Sequence, residues 1–401
     1  MKHSSSQTSR KASQSRGERR STQTAACQVA DAATQGAAPL AEVIKLGVDT
    51  HLHSYSVARM LDSSNPQPAQ DMTPEAFVKF VQKQKKLAKR VVVAYEAGPF
   101  GFHLYRQLMA LGVECLVVVA QDWDERRKKT KTDKIDARHI VLNLDRYLAG
   151  NEYALAVVRV PSLQEEVARD LSREREQFKK DRTRFINRGH ALMRRYGLGK
   201  LGRWWQSDAL EPLRPRLLER FADEPEKASL AERLLSQMAD YAEQITQLSV
   251  RIGDLTRDLE QASRQRQPSR PKGVGHLSLE KIRREVCDWN RFDNRRQVAS
   301  YTGLCPGRRE SGGHGMDLSV SKCGNPRLRA ALVELAWLLV RFQPNYIRLK
   351  RWEGVFSAAG SAARARKKKA IVALARQLAV DLWRIFTGRV KAQDLGLEMV
   401  G

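Results

Sequence analysis

Four carboxylates and one serine hold the chemistry that this sequence can offer. Asp49, Glu96, Asp133 and Asp136 follow one another through the first third of the chain. Carboxylates brought together repel one another unless a hard cation lies between them. An all-oxygen donor set suits magnesium, and opposite a phosphodiester one or two such ions polarise the phosphoryl group and activate the attacking oxygen. Each acid alone has a blander reading: Asp133 as a helix cap, Asp136 as a surface partner of Lys134 or Arg138. The ordered set is what carries weight.

The second centre is RRESGGHGMDLSVSKCGNPRLR, residues 308–329. Ser311 precedes two glycines that permit close backbone approach. Arg308, Arg309, Lys322, Arg327 and Arg329 stand ready to hold a phosphate and to stabilise developing charge. A serine hydroxyl needs a base or a metal to become a nucleophile. Ser319 and Ser321 are rivals within the segment, and a nucleic-acid-touching loop without catalysis is the simpler alternative.

These residues need elements to position them. From Glu42 the run VIKLGVDTHLHSYSVARML offers two β-branched stretches around a polar break, a hairpin or bent strand pair with Asp49 at the end of the first strand. Thr73 as N-cap and Pro74 at the first helical position open a helix. Val91–Ala94 reads as a strand covered on both faces, with Glu96 at its carboxyl end, and another helix and another buried strand, ECLVVVA, follow. Alternating strands and helices predict an α/β domain with a largely parallel sheet, whose ligands gather outside the carboxyl ends of the strands. Asp133 and Asp136 share one helical face if their helix has begun by Asp133. His51 and His53, two apart, are read as sharing one exposed strand face rather than as metal ligands.

The chain divides into a basic arm at 1–40 that is read as disordered, an α/β domain at 41–155, a helical coiled-coil or linker domain at 156–265 and a mainly helical domain at 266–401. With 401 residues, one small binding module is excluded. With 42% hydrophobic residues, so is global disorder. Lysine plus arginine number 71 against 45 acids, a formal +26 that points to a polyanion partner. The five cysteines form no CxxC pair, so neither a disulfide framework nor a cysteine zinc site is expected and a reducing cytoplasm fits. No segment reads as a secretion signal or membrane span.

Asp49 in LGVDTH, Glu96 in YEAGPFG, KTDKIDARHI with Asp133 and Asp136, and SG…SKCGNPRLR together resemble the DEDD-type insertion-sequence transposases, a family that includes pilin-gene invertases and bridge-RNA-guided recombinases. The resemblance spans about residues 43–343. It implies a RuvC-like, RNase H-fold domain, a helical coiled-coil middle and a C-terminal transposase domain in which Ser311 is the nucleophile. It further implies a covalent phosphoserine link to DNA, a magnesium-binding tetrad of Asp49, Glu96, Asp133 and Asp136, an element-encoded structured RNA as guide, and a dimer or tetramer with composite sites, in a bacterial cytoplasm near the nucleoid. The arm at 1–40 and the histidines after Asp49, where the resemblance leads one to expect a lysine-containing stretch, depart from the family pattern.

Two further features bear on nucleic acid. RPKGVGHLSLEKIR resembles the glycine turn of a helix-hairpin-helix, where amides at a helix start meet a phosphate. Arg364, Arg366, Lys367, Lys368 and Lys369 form a basic cluster, read as a contact surface over the plainer reading of a solvated helix start. Of Trp204, Trp205, Trp289 and Tyr301, at most one is expected to stack on unpaired bases, the rest being core. The competing functions are a RuvC-like metal-dependent nuclease or junction resolvase without a serine adduct, and a non-catalytic nucleic-acid-binding protein.

Overall fold

A computed structural model describes residues 41–119, 132–199, 202–311 and 314–401; the side chains of Ser207, Arg308, Glu310, Ser311, His314 and Asp317 are not among what it describes. The arm read at 1–40 and most of the basic run before Asp133 lie outside the described residues. The chain forms two compact units, divided between Val160 and Pro161.

The first unit is built on β1 (Ala41–Thr50), β2 (Tyr55–Leu61), β3 (Gln70–Met72), β4 (Ala88–Glu96) and β5 (Glu114–Val118), in the spatial order β3-β2-β1-β4-β5. The pairs β1–β4 and β4–β5 are parallel, β1–β2 and β2–β3 antiparallel. The expected largely parallel sheet is thus a mixed one. Only four residues join β1 to β2, enough for a reversal and far too few for a crossover.

Side chains alternate across this sheet. Ile44, Leu46 and Val48 of β1 and Val91, Val93 and Tyr95 of β4 bury one face against α1 (Pro74–Gln84) and α2 (His103–Ala110). Thr73 caps α1 by accepting from the Ala76 amide, and Pro74 follows as expected. The other face, with Val92, Ala94, Ala58 and Met60, lies under Ala137, Ile140, Val141 and Leu144 of α3 (Asp133–Leu148).

The second unit opens with α4 (Leu163–Arg195), started by a capping box between Ser162 and Glu165. It passes α5 (Leu213–Arg220) and returns along α6 (Lys227–Arg266). The pairs Arg175–Thr256 and Phe185–Tyr241 show that α4 and α6 run antiparallel. Trp204 closes one end of this hairpin, fully buried against Gly189, where a side chain would collide with its ring. The remaining core gathers α7 (His276–Val286), α8 (Arg295–Thr302), α9 (Pro326–Phe342) and α11 (Ser361–Phe386), with Trp289 buried inside. Short β6 (Arg270–Pro271) pairs with β9 (Met399–Val400), and α10 (Glu353–Ser357) precedes α11. The glycine-rich stretch read as loop is instead a separate antiparallel hairpin, β7 (Pro306–Ser311) with β8 (His314–Val320). Among the described residues no helix is long and apolar enough to cross a membrane, and no cysteine is paired.

Candidate active site

Strand β1 presents Lys45, Gly47 and Asp49 to the face that α3 covers, at successive same-side positions. Each meets the helix differently. Lys45, buried, forms an ion pair with Asp145 in the last turn of α3. At Gly47 a Cβ would lie 2.3 Å from the Ala137 carbonyl oxygen and 2.5 Å from the Val141 nitrogen, so glycine is what lets helix and strand lie this close. Asp49 comes under the start of the helix. That start is held from the sheet edge, where Asp71 of β3 accepts from Ser56 Oγ at 2.6 Å and pairs with Lys134 at 3.0 Å.

The helix begins at Asp133, as the three-residue spacing of Asp133 and Asp136 requires, and both acids lie in its first turn. Acids there are favoured by the helix dipole. Thr132, not Asp133, occupies the N-cap position. In the β1–β4 register Val48 pairs with Tyr95. Glu96, the next residue, therefore stands beside Asp49 on the α3 face, at the carboxyl end of the neighbouring parallel strand.

His51 joins the acids. The chain reverses after β1, with the His51 amide donating to the Ser54 carbonyl at 3.0 Å. This brings His51 Nε2 to 3.4 Å from Asp49 Oδ2 and 3.2 Å from Asp133 Oδ2. One ligand atom from each of Asp49, His51 and Asp133 lies within 4.8 Å of the others. Burial pushes the Asp49 carboxyl above its ordinary range; His51 opposes the shift, while the negative charges of Asp133 and Asp136 add to it. The strand alternation that set His51 aside fails because β1 ends at Thr50. Only the turn after the strand reveals the residue, and the polar run HLHS was its one sequence signal.

The donor set fits a divalent cation. Two carboxylates and an imidazole converge, and Asp49 carries an electrostatic strain that a cation between the acids would relieve. Asp49 is the sheltered member, with 18% of its side chain exposed against 59% for Asp133, so an ion would be seated on the strand and remain open to solvent on the helix side. Cys115 of β5 lies on the opposite face of the sheet, where burial pushes its thiol up to about 12.

In the second unit Ser311 ends β7, paired with His314 across residues 312 and 313, which lie outside the described residues. The Gly-Gly dipeptide between two extended runs is a hairpin signal that the loop reading passed over. The base of this ribbon is clamped. At Gly324 a Cβ would lie 2.5 Å from the Tyr301 carbonyl oxygen, and Arg329 donates to the carbonyls of Thr302 and Lys322 at 3.3 and 3.2 Å. Asn325 caps α9, accepting from the Arg327 and Leu328 amides, and donates to buried Glu285 at 2.7 Å. Arg173 of α4 holds the same Glu285 through two hydrogen bonds of 3.1 and 2.9 Å.

The expected phosphate ligands fall into three groups. Arg329 is a strut between carbonyls, and Arg327 leans toward Glu176 at 3.8 Å. Arg309 and Lys322 are exposed, Lys322 with a positive φ of 57°. Arg364, Arg366, Lys368 and Lys369 are exposed and Lys367 half-buried in the opening turns of α11. No acid occupies the first turn of that helix, so its positive charge faces the positive end of the helix dipole. Helix stability alone does not select that arrangement.

Comparison with known proteins adds sequence likeness to this geometry. The family model described as "Transposase IS116/IS110/IS902 family" matches residues 269–350, which hold the hairpin together with Glu285, Gly324, Asn325 and Arg329 of its clamp. A second model, an IS110 DEDD model described as "Transposase", matches residues 46–198, which hold all four acids. A putative transposase, y4rJ, of Sinorhizobium fredii is 34% identical over 320 residues, covering 73% of this chain and 76% of the relative. The transposase for insertion sequence element IS1111A of Coxiella burnetii is 26% identical over 308 residues, covering 74% and 77%.

Proposed function

The chain belongs to the IS116/IS110/IS902 transposase family and is a DNA transposase of an insertion sequence, and on that premise we propose that it cuts and rejoins DNA by serine attack assisted by the acidic site. The convergence of Asp49, His51 and Asp133 at the carboxyl end of β1, with Asp136 in electrostatic reach and Glu96 alongside, is the observation that supports a metal-assisted reaction. A DEDD transposase family implies a divalent metal, and our reading takes Mg²⁺ as the ion, held by Asp49, Glu96, Asp133 and Asp136. Bound there, it would supply Lewis-acid polarisation of a phosphoryl oxygen and lower the pKa of the attacking hydroxyl.

The attacking group in this reading is the Ser311 hydroxyl. Its oxygen forms a bond to phosphorus as the bond from phosphorus to one deoxyribose oxygen breaks; the serine proton passes to a general base and the departing oxygen takes up a proton. Attack by a second deoxyribose hydroxyl reverses these steps and reseals the DNA with no net hydrolysis. Arg309 and Lys322 bind and orient the phosphate, and the α11 cluster Arg364–Lys369 holds flanking backbone. An element-encoded guide RNA supplies target choice, and the protein acts as a homo-oligomer, a dimer or tetramer. The serine step rests on the motif order and on the clamp that fixes the hairpin base, and the guide RNA and the oligomer on the resemblance to the family.

The test is to incubate purified protein with labelled element-end DNA, divalent metal and co-expressed RNA, then seek a denaturant-resistant protein–DNA band. The expected band is lost in Ser311→Ala, which still binds DNA. Cleaved free ends without any band would sink the serine step and leave a metal-dependent nuclease. A band that persists in Ser311→Ala moves the nucleophile to Ser319 or Ser321.

A further inference from the structure

A cavity of about 690 Å³ opens in the second unit between α4, α6, α7 and α9. Its α4 wall carries Arg175, Lys179 and Arg182, at the i, i+4, i+7 spacing that stacks side chains on one face. Lys180 and Arg184 flank this stripe and Lys281 faces it from α7. Some of this charge is answered: Arg184 pairs with Asp181 at 2.6 Å, and Lys281 with Glu176. Lys179, Lys180 and Arg182 have no carboxylate partner among the described residues.

Three further features make the wall more than a solvated helix face. The Arg182 Nε is shut away from solvent without a hydrogen-bond partner, a costly state for a donor on a permanent cation. Burial disfavours the charge on Arg175; Glu176 and Glu260 oppose that shift, and the neighbouring positive charge of Arg182 adds to it. On the opposite wall Leu277 and Ser278 belong to the first turn of α7, whose N-cap is Gly275 and offers no side-chain acceptor. Six basic side chains against two carboxylates, Glu176 and Glu334, line the cavity beside this uncapped helix start, a balance that suits an anion.

We infer that this cavity binds the phosphodiester backbone of a nucleic acid, through Arg175, Lys179 and Arg182 on one wall and the Gly275–Ser278 turn on the other. The stripe from Arg175 to Arg182 runs about 10 Å along the helix, longer than one phosphate and suited to a run of them. The GVG turn then has a ligand, and the helical hairpin becomes a contact surface as well as a spacer. The inference stands independently of the serine chemistry, since it concerns residues outside both the acidic site and the hairpin.

Anisotropy titrations of full-length protein with labelled duplex DNA and with a labelled RNA hairpin, across a salt series, test it. The double variant Lys179→Gln/Arg182→Gln is expected to flatten the log–log salt slope by about two for at least one of the two probes and to weaken that probe's binding roughly ten-fold or more. Arg182→Lys, which retains the charge, should keep most of the slope, and Arg257→Gln, on an exposed part of α6, should leave it within about one unit of the native protein. Loss for RNA alone or DNA alone identifies the backbone source. In the native protein, bound nucleic acid should also shield Lys179 and Lys180, but not Lys227, from acetylation read by mass spectrometry. Unchanged slopes with both probes, or unshielded lysines, overturn the inference, as does a variant that alters only the oligomeric state.

Discussion

The acidic site and the serine hairpin are positioned by opposite means. Asp49, Glu96, Asp133 and Asp136 hang from a five-stranded sheet or from the helix α3 laid across it, and the sheet is packed on both faces. The serine sits at the tip of a two-stranded ribbon that pairs with no other strand among the described residues, fixed only where it leaves the helical core. A lone two-stranded ribbon is marginal in water, so its order depends on the clamp at its base. The acidic site is thus positioned by packing of the core, and the Ser311 hairpin by a few hydrogen bonds around Glu285, Asn325 and Arg329.

Breaking the clamp should have the largest effect. Arg173→Met leaves the buried Glu285 carboxylate without its cation, and a loss of about 3–5 kcal/mol is expected in chemical denaturation. Although burial alone raises the Glu285 carboxyl, its bonds to Arg173 and Asn325 hold it below its ordinary 4.5. A depressed folded-state value means that this stabilisation is present above pH 4.5 and is lost as pH falls through the lower value. The native protein should therefore lose more stability in acid than Arg173→Met does; equal losses would remove Glu285 from the clamp.

Next comes Asp49→Asn, expected to slow metal-dependent DNA cleavage by about 10²–10³-fold while the melting curve stays intact, as for other groups that act on developing charge. Gly47→Ala pushes a methyl group into the α3 backbone and should cost about 1–3 kcal/mol, with weaker metal binding as the helix start is displaced. Full stability in this variant would mean that α3 is not seated as tightly as the clash distances require. A smaller effect is expected for His51→Ala. An imidazole beside carboxylates favours softer ions than Mg²⁺, so calorimetric Mn²⁺ affinity should fall roughly ten-fold while Mg²⁺ affinity changes little. At the ribbon, Arg309→Gln should reduce the salt slope of DNA binding by about one and leave stability within about 0.5 kcal/mol.

Much of the first unit was legible because its signals are local. Thr73–Pro74 opened a helix, Val91–Ala94 formed a doubly buried strand, and Asp133 lies in the first turn of α3. What sequence did not disclose depends on where the chain goes after an element ends. β3 has three residues and no apolar pattern, so Asp71, which ties down the start of α3, gave no sign of its role. His51 meets Asp49 and Asp133 through a reversal, and the hairpin of Ser311 was hidden because its first strand, PGRRES, carries no apolar alternation. Of the aromatic residues weighed for stacking, Trp204 and Trp289 are packing residues, a burial that a helical context already favoured.

The stripe Lys45–Gly47–Asp49 also makes the sheet an inspector of its own site. A slip of β1 by one residue would turn all three side chains to the opposite face. Lys45 would then lose Asp145, Gly47 would no longer admit α3, and Asp49 would leave the other acids together. Molecules that complete this half of the protein therefore complete the acidic site in the same step, and a misaligned strand is rejected by the same packing that would have held the metal. For an enzyme that breaks DNA, a chain that folds wrongly is by this device also a chain that does not cut.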